Sequence, residues 1–146
     1  MKLIQISDCH LFESPELSAY GDIIPAQSLS AVLVAAVEQQ PDGLLFTGDI
    51  SGDDSGASYQ LFLSLLNQWG GEIPWRVIPG NHDNNSYFEQ TLKANWLRAD
   101  TPWILKGKYI HGLDTRLEGT LGVIDEKQLA SVAANIARAP DAGHLL

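Results

Sequence analysis

Apolar and polar positions along this chain follow two alternating periods, and the switches between them mark out its elements. Leu3 to Ser7 is a short apolar run closed by Asp8, the pattern of a buried strand. From Leu11 to Ile24 neither period holds, and Pro15, Gly21 and several polar residues make this a loop. Pro25 suits the first turn of a helix, where a missing N–H costs little. Leu29, Val32, Leu33, Ala36 and Val37 then recur at helical spacing, placing one apolar stripe on a helix that ends near Gln40-Pro41. Asp42-Gly43 turns the chain into Leu44-Leu45-Phe46-Thr47, a second strand. A strand, a helix and a strand in that order predict a parallel pair.

The pattern recurs. Phe62, Leu65, Leu66 and Trp69 predict a second amphipathic helix, Gly70-Gly71 stops it, and Trp75-Arg76-Val77-Ile78 supplies a third strand. Ser86 and Glu89 stand at capping-box spacing, which predicts a short helix to about Lys93. Trp103-Ile104-Leu105 and Tyr109-Ile110 read as two strands joined by a tight turn at Lys106-Gly107-Lys108. Asp125 is placed to cap a last helix with Leu129, Val132, Ala133 and Ile136 on one face, and His144-Leu145-Leu146 reads as the opening of another strand. The expected class is α/β, one domain over residues 1–146, with no internal repeat.

The polar residues at the strand ends carry the chemistry. Asp8-Cys9-His10, Gly48-Asp49 and Gly80-Asn81-His82-Asp83 each follow an apolar run directly. Ligands of open parallel sheets sit beyond the carboxyl ends of the strands, so the three clusters are expected to share one pocket. Asp8, His10, Asp49 and Asn81 offer carboxylate, imidazole and amide oxygen, a hard mixed set suited to divalent Mn, Fe, Mg or Zn. In an extended backbone Asp8 and His10 would project to one side and Cys9 to the other. Gly48 and Gly80 allow sharp bends and close approach of the backbone.

Composition narrows the setting. Eighteen acidic against nine basic residues give a formal charge of −9, which disfavours a nucleic acid polymer as partner while leaving room for a small anion beside metal ions. The longest apolar runs fall well short of the roughly 20 residues that cross a bilayer, so no membrane contact is expected. Met1-Lys2 leads straight into a strand with no signal-peptide pattern, and the single Cys9 cannot form an internal disulfide, so a cytoplasmic location is expected.

The Asp-x-His, Gly-Asp and Gly-Asn-His-Asp series, in this order and at these separations, resembles the calcineurin-like metallophosphoesterase family. Asp8-Cys9-His10-Leu11-Phe12, Thr47-Gly48-Asp49-Ile50-Ser51, Ser58-Tyr59 with Phe62, and Pro79-Gly80-Asn81-His82-Asp83 resemble its bacterial cyclic AMP phosphodiesterase group, as do Leu113-Asp114-Thr115, Gly122 and Gln128-Leu129. The resemblance implies an α/β/β/α sandwich and two divalent ions as cofactors. Asp8 and His10 would bind the first ion, Asp49 would bridge both and Asn81 would bind the second. His82 would face a small nucleotide or other phosphodiester substrate, with Asp83 orienting its ring. The implied reaction is in-line attack of hydroxide on the phosphorus of a cyclic nucleotide. Two alternatives are another diester or a nucleotide monoester as substrate, and a catalytically silent metal-binding fragment. In the family a histidine-bearing strand end and a Gly-His-x-His element follow, and this chain has neither. Residues 1–146 are therefore expected to be the N-terminal portion of the domain, lacking the C-terminal strands and leaving a sheet edge open to self-association.

Other residues take plainer readings. The Asp49 to Gln60 loop resembles a calcium loop only superficially, with Asp54 where glycine is needed and Gln60 where glutamate is needed. Asp53 and Asp54 read as solvated loop or helix-start charges. His111 reads as a packed or hydrogen-bonded strand residue, Cys9 as small buried packing, and Trp69, Trp75, Trp96 and Trp103 as core or edge packing. No Gly-x-Ser-x-Gly elbow supports a serine nucleophile.

Overall fold

The computed structural model describes every residue of the chain except Tyr20, Glu118 and Thr120. Three parallel strands, β1 (Leu3–Ile6), β2 (Gly43–Thr47) and β3 (Trp75–Ile78), form a first sheet in the order β1-β2-β3. Helices α1 (Pro25–Glu38) and α2 (Gly56–Trp69) make the crossovers, and α3 (Ser86–Leu92) follows β3. A second sheet, β4 (Trp103–Leu105), β5 (Lys108–Ile110) and β6 (Gly143–Leu145), pairs β4 antiparallel and β6 parallel to the central β5. Helix α4 (Glu126–Arg138) connects β5 to β6.

The alternation of side chains along the strands assembles these pieces into layers. Ile6, Leu44, Phe46 and Val77 enter the main core with Leu29 and Leu33 of α1 and Tyr59, Phe62 and Leu66 of α2. Leu3, Leu45 and Ile78 point the other way and pack on Trp103, Leu105 and Ile110 of the second sheet. The central strands are apolar on both faces because both faces are covered.

The helix stripes differ in detail from their sequence periodicity. Val32 is 44% exposed, and the buried face of α1 runs instead through Pro25, Ala26, Leu29, Leu33 and Ala36. In α2, Trp69 is exposed and the stripe gains Ser58 and Tyr59 at its other end. Helix α4 departs most: it buries Val132 and Asn135, whose amide donates to the Ala99 carbonyl at 3.0 Å, while Leu129 is 51% exposed. Periodicity shows that a helix has an apolar face; it does not show which part of that face finds a partner. The start of α3 is capped by Asn85, whose side chain accepts from the Tyr87 and Phe88 amides, and not by Ser86. Asp125 caps α4 as expected, accepting from the Gln128 amide. Among the described residues no helix is long and apolar enough to cross a membrane.

Candidate metal centre

The three clusters meet beyond the carboxyl end of the first sheet. After β1 the chain keeps pairing with the segment after β2: the Asp8 amide donates to the Gly48 carbonyl at 3.1 Å, His10 to Asp49 at 2.8 Å and Leu11 to Ile50 at 2.9 Å. This pairing is not made in extended conformation. Asp8, His10 and Asp49 have φ of 57°, 43° and 53°, in the left-handed region, so the alternation argument does not describe how their side chains converge. Such residues cost roughly 1–2 kcal/mol each relative to ordinary backbone, and they persist where surrounding contacts over-determine them. Here the backbone bonds just named hold them.

Convergence is achieved nonetheless. His10 Nε2 lies 3.6 Å from Asp8 Oδ1 and 3.8 Å from Asp49 Oδ2. The rings of His10 and His82 meet edge to face at 5.0 Å. One donor atom from each of His10, Asp49 and His82 lies within 4.8 Å of the other two. Asp8, Asp49 and Asn81 also line a common cavity of about 380 Å³. Asp49 therefore belongs to both groupings, and its Oδ1 is fixed by the His82 backbone amide at 3.1 Å. Carboxylates and imidazoles at this spacing fit a divalent cation as a donor set.

Gly48 and Gly80 make this proximity attainable. With φ of 102°, Gly48 packs on Gly80 so closely that a Cβ on it would come within 2.7 Å of the Gly80 Cα. A Cβ on Gly80 would run into the Asp49 carboxylate. Side chains at either position would push the second and third clusters apart.

The Asp83 carboxylate is taken up by backbone amides and a hydroxyl. Fully buried, its Oδ1 accepts from the Ile50 amide at 3.2 Å, the Ser51 amide at 3.3 Å and the Tyr59 hydroxyl at 2.9 Å, while Oδ2 accepts from the Gly80 amide at 2.9 Å. These bonds tie the residues just after Asp49 to the residue just before Asn81. Burial pushes the Asp83 carboxyl above its usual range, against the pull of those donors. Burial and Asp83 together push the Tyr59 hydroxyl up. Asn85 completes the knot by donating to the Tyr59 hydroxyl at 3.0 Å and to the His82 carbonyl at 3.3 Å. The sequence reading missed Tyr59 and Asn85 as parts of the site. Extending the α2 stripe one turn back from Phe62 would have reached Tyr59.

The remaining sequence candidates are also placed. Burial, then the carboxylates of Asp83 and Asp8, push the Cys9 thiol up to about 12, which keeps it a protonated packing group. Asp53 is more than a solvated charge: it accepts from the Glu13 amide at 2.7 Å and the Ser55 amide at 3.1 Å, joining the first loop to the start of α2. His111 is buried and bonds through Nε2 to His144 Nδ1 at 2.9 Å.

One wall of the cavity comes from the β5–α4 connection. Asp114 donates its amide to Gln128 Oε1 at 2.8 Å and its carbonyl accepts from Gln128 Nε2 at 2.7 Å, which gives the Leu113-Asp114-Thr115 and Gln128 motifs a joint structural role. Burial pushes the Asp114 carboxyl up, but hydrogen bonds and charge from Arg116 outweigh it and hold it below the usual value. A carboxyl depressed in the folded state stabilises above its unfolded pKa of about 3.9 and loses that contribution as pH falls through the folded value. Asp114→Asn is therefore expected to narrow the difference in melting temperature between pH 5 and pH 3, measured by circular dichroism. An unchanged or wider difference would count against this role.

Residues 1–130 match the calcineurin-like phosphoesterase family. The chain belongs to that family. Its strands and helices are accordingly part of a metallophosphoesterase fold, which carries divalent ions. A 3′,5′-cyclic adenosine monophosphate phosphodiesterase from Vibrio vulnificus (strain CMCP6) is 32% identical over 150 aligned positions, covering 100% of this chain and 54% of that protein. A probable cyclic nucleotide phosphodiesterase from Pseudoalteromonas sp. (strain SM9913) is 36% identical over 83 residues, 57% of this chain and 31% of that protein. A probable glycerophosphodiester phosphodiesterase from Arcobacter nitrofigilis is 29% identical over 159 positions, with 100% and 55% covered. The chain thus spans about half the length, or less, of these curated relatives.

Proposed function

We propose that this metallophosphoesterase chain belongs to an enzyme that hydrolyses a cyclic nucleotide phosphodiester, with Asp8, His10, Asp49 and Asn81 holding two divalent ions. The observation that carries the reading is the position of Asp49, the one carboxylate shared by the His10–His82 cluster and by the cavity lined by Asp8 and Asn81. Divalent ions held there would supply positive charge and Lewis acidity at the phosphoryl group. One Asp49 oxygen accepts from the His82 amide at 3.1 Å and the other lies 3.8 Å from His10 Nε2. Asp83, with Tyr59, keeps the two loops at a set separation, a positioning role. His82, on the exposed rim, holds a proton for the leaving alkoxide. The cyclic nucleotide as substrate rests on the Vibrio and Pseudoalteromonas relatives. The Arcobacter relative favours a second reading, a glycerophosphodiester as substrate.

The test combines metal content with hydrolysis of bis-p-nitrophenyl phosphate, cyclic AMP and glycerophosphodiesters in manganese buffer. Turnover of cyclic AMP above the other diesters is expected. Preference for glycerophosphodiesters would favour the second reading, and no bound metal would overturn both. His82→Ala is expected to cut turnover about 100-fold or more, the low end for a general acid, with metal content near wild type. Loss of metal in that variant would instead make His82 a ligand.

A further inference from the structure

The wall across the cavity from Asp8, Asp49 and Asn81 belongs to the β5–α4 connection, where the Val123 amide donates to the Thr115 carbonyl at 2.8 Å and Arg116 bridges Gly122. Leu113, Thr115, Leu121 and Gly122 line the cavity from this side. Among the described residues β4 and β5 meet the first sheet through side-chain packing of Leu3, Leu45 and Ile78 on Trp103, Leu105 and Ile110 and not through strand pairing. A side-chain link at the cleft itself adds to that packing.

Arg116 occupies the place where that link is made. Its Nε and Nη2 donate to the two Asp114 carboxylate oxygens at 2.9 and 2.7 Å, and its Nη1 donates to the Asp83 backbone carbonyl at 2.7 Å. Asp83 closes the short helical turn that carries Asn81 and His82. The guanidinium also lies 5.8 Å from the ring centres of both Phe88 and Trp96, and only 16% of the side chain is exposed. Since Gln128 grips the Asp114 backbone, the connection runs from α4 through Asp114 and Arg116 to the turn bearing the candidate ligands. A planar guanidinium holds both oxygens of a carboxylate bidentately while its remaining nitrogen reaches a carbonyl beyond; a lysine ammonium, a compact point donor, lacks that fixed geometry. In a chain of net charge −9, Arg116 is moreover the sole cation among the described residues lining the cavity.

We propose that Arg116 is a positioning residue that fixes the substrate-facing wall against the metal-binding loops and so sets how an anionic phosphodiester is held. This rests on the phosphodiesterase reading above. The Arg116 guanidinium bonds to Asp114 and to the Asp83 carbonyl and not to the carboxylates of Asp8 or Asp49, so its removal should leave the cation site intact while the substrate loses its wall.

The experiment compares wild type, Arg116→Ala and Arg116→Lys in manganese, with steady-state kinetics on the best diester, manganese titration followed by thermal shift, and amide hydrogen exchange. Arg116→Ala is expected to raise KM at least about tenfold, since a misplaced binding surface of order 1 Å can cost up to 10². Its kcat should stay within about threefold of wild type and its manganese midpoint should not move. Arg116→Lys should behave like the alanine variant, because charge without the fork does not restore the link. Lysine rescuing KM, a shifted manganese midpoint, or equal loss of kcat for every diester with a lowered melting temperature would overturn the proposal. Should wild type hydrolyse no diester, the reading above fails on its own. Hydrogen exchange then decides Arg116: faster exchange of the Leu117 and Val123 amides in Arg116→Ala, with Leu11 and Ile50 unchanged, supports the link, and unchanged exchange at all four sinks it.

Discussion

Asp49→Asn is expected to abolish the rise in melting temperature that millimolar manganese gives the wild-type chain, and to lower diester hydrolysis more than about 100-fold. Groups one layer out from a metal typically cost 10–100-fold when replaced, and a shared ligand should exceed that range. Asparagine is the informative choice because it tolerates the positive φ at this position and keeps an oxygen for the His82 amide. It replaces the second oxygen with a neutral NH₂ and so removes the charge, and with it the repulsion with Asp8. Without metal the variant should therefore melt at or above the wild-type temperature. The opposing pair of effects separates a cation site from a merely structural carboxylate, which would be destabilised with or without manganese. A full manganese shift in Asp49→Asn would sink the assignment.

Asp83→Ala is expected to carry the largest cost in stability, about 3–5 kcal/mol by urea unfolding, because it strands several buried donors at once. The change leaves the Ile50, Ser51 and Gly80 amides and the Tyr59 hydroxyl without their common acceptor. Each group stranded in this way costs about 1–3 kcal/mol, against a total folding stability of about 5–15 kcal/mol. Asp83→Asn keeps the shape but turns an amide NH₂ toward backbone donors, so a loss of about 1–3 kcal/mol is expected. A loss below about 1 kcal/mol in the alanine variant would show that these bonds do not hold the loops together.

Much of this architecture was legible before any coordinates because it rests on short-range rules. Strands β1, β2 and β3 announce themselves as apolar runs ended by turn residues, and α1 and α2 as the crossovers that make such strands parallel. Helix faces were less legible. Leu129 has the right spacing for burial and is exposed, whereas the polar Asn135 is buried because the Ala99 carbonyl happens to lie opposite it. The site shows the same division. Residue type and order pointed to Asp8, His10, Asp49 and Asn81, yet the left-handed backbone at three of them follows from pairing between segments some 40 residues apart.

What the amino-acid order alone determined is the inventory: alternating strands and helices, donor side chains at three strand ends, and glycines where two of those clusters must touch. The tertiary structure alone decided the support. Asp83 faces backbone amides and Tyr59, and Arg116 joins a wall built from one sheet to a turn that follows the other. The physical reason is range. Periodicity and turn chemistry act over a few residues and are written into local sequence, whereas a buried carboxylate or guanidinium takes whichever donors and acceptors packing brings within about 3 Å of it.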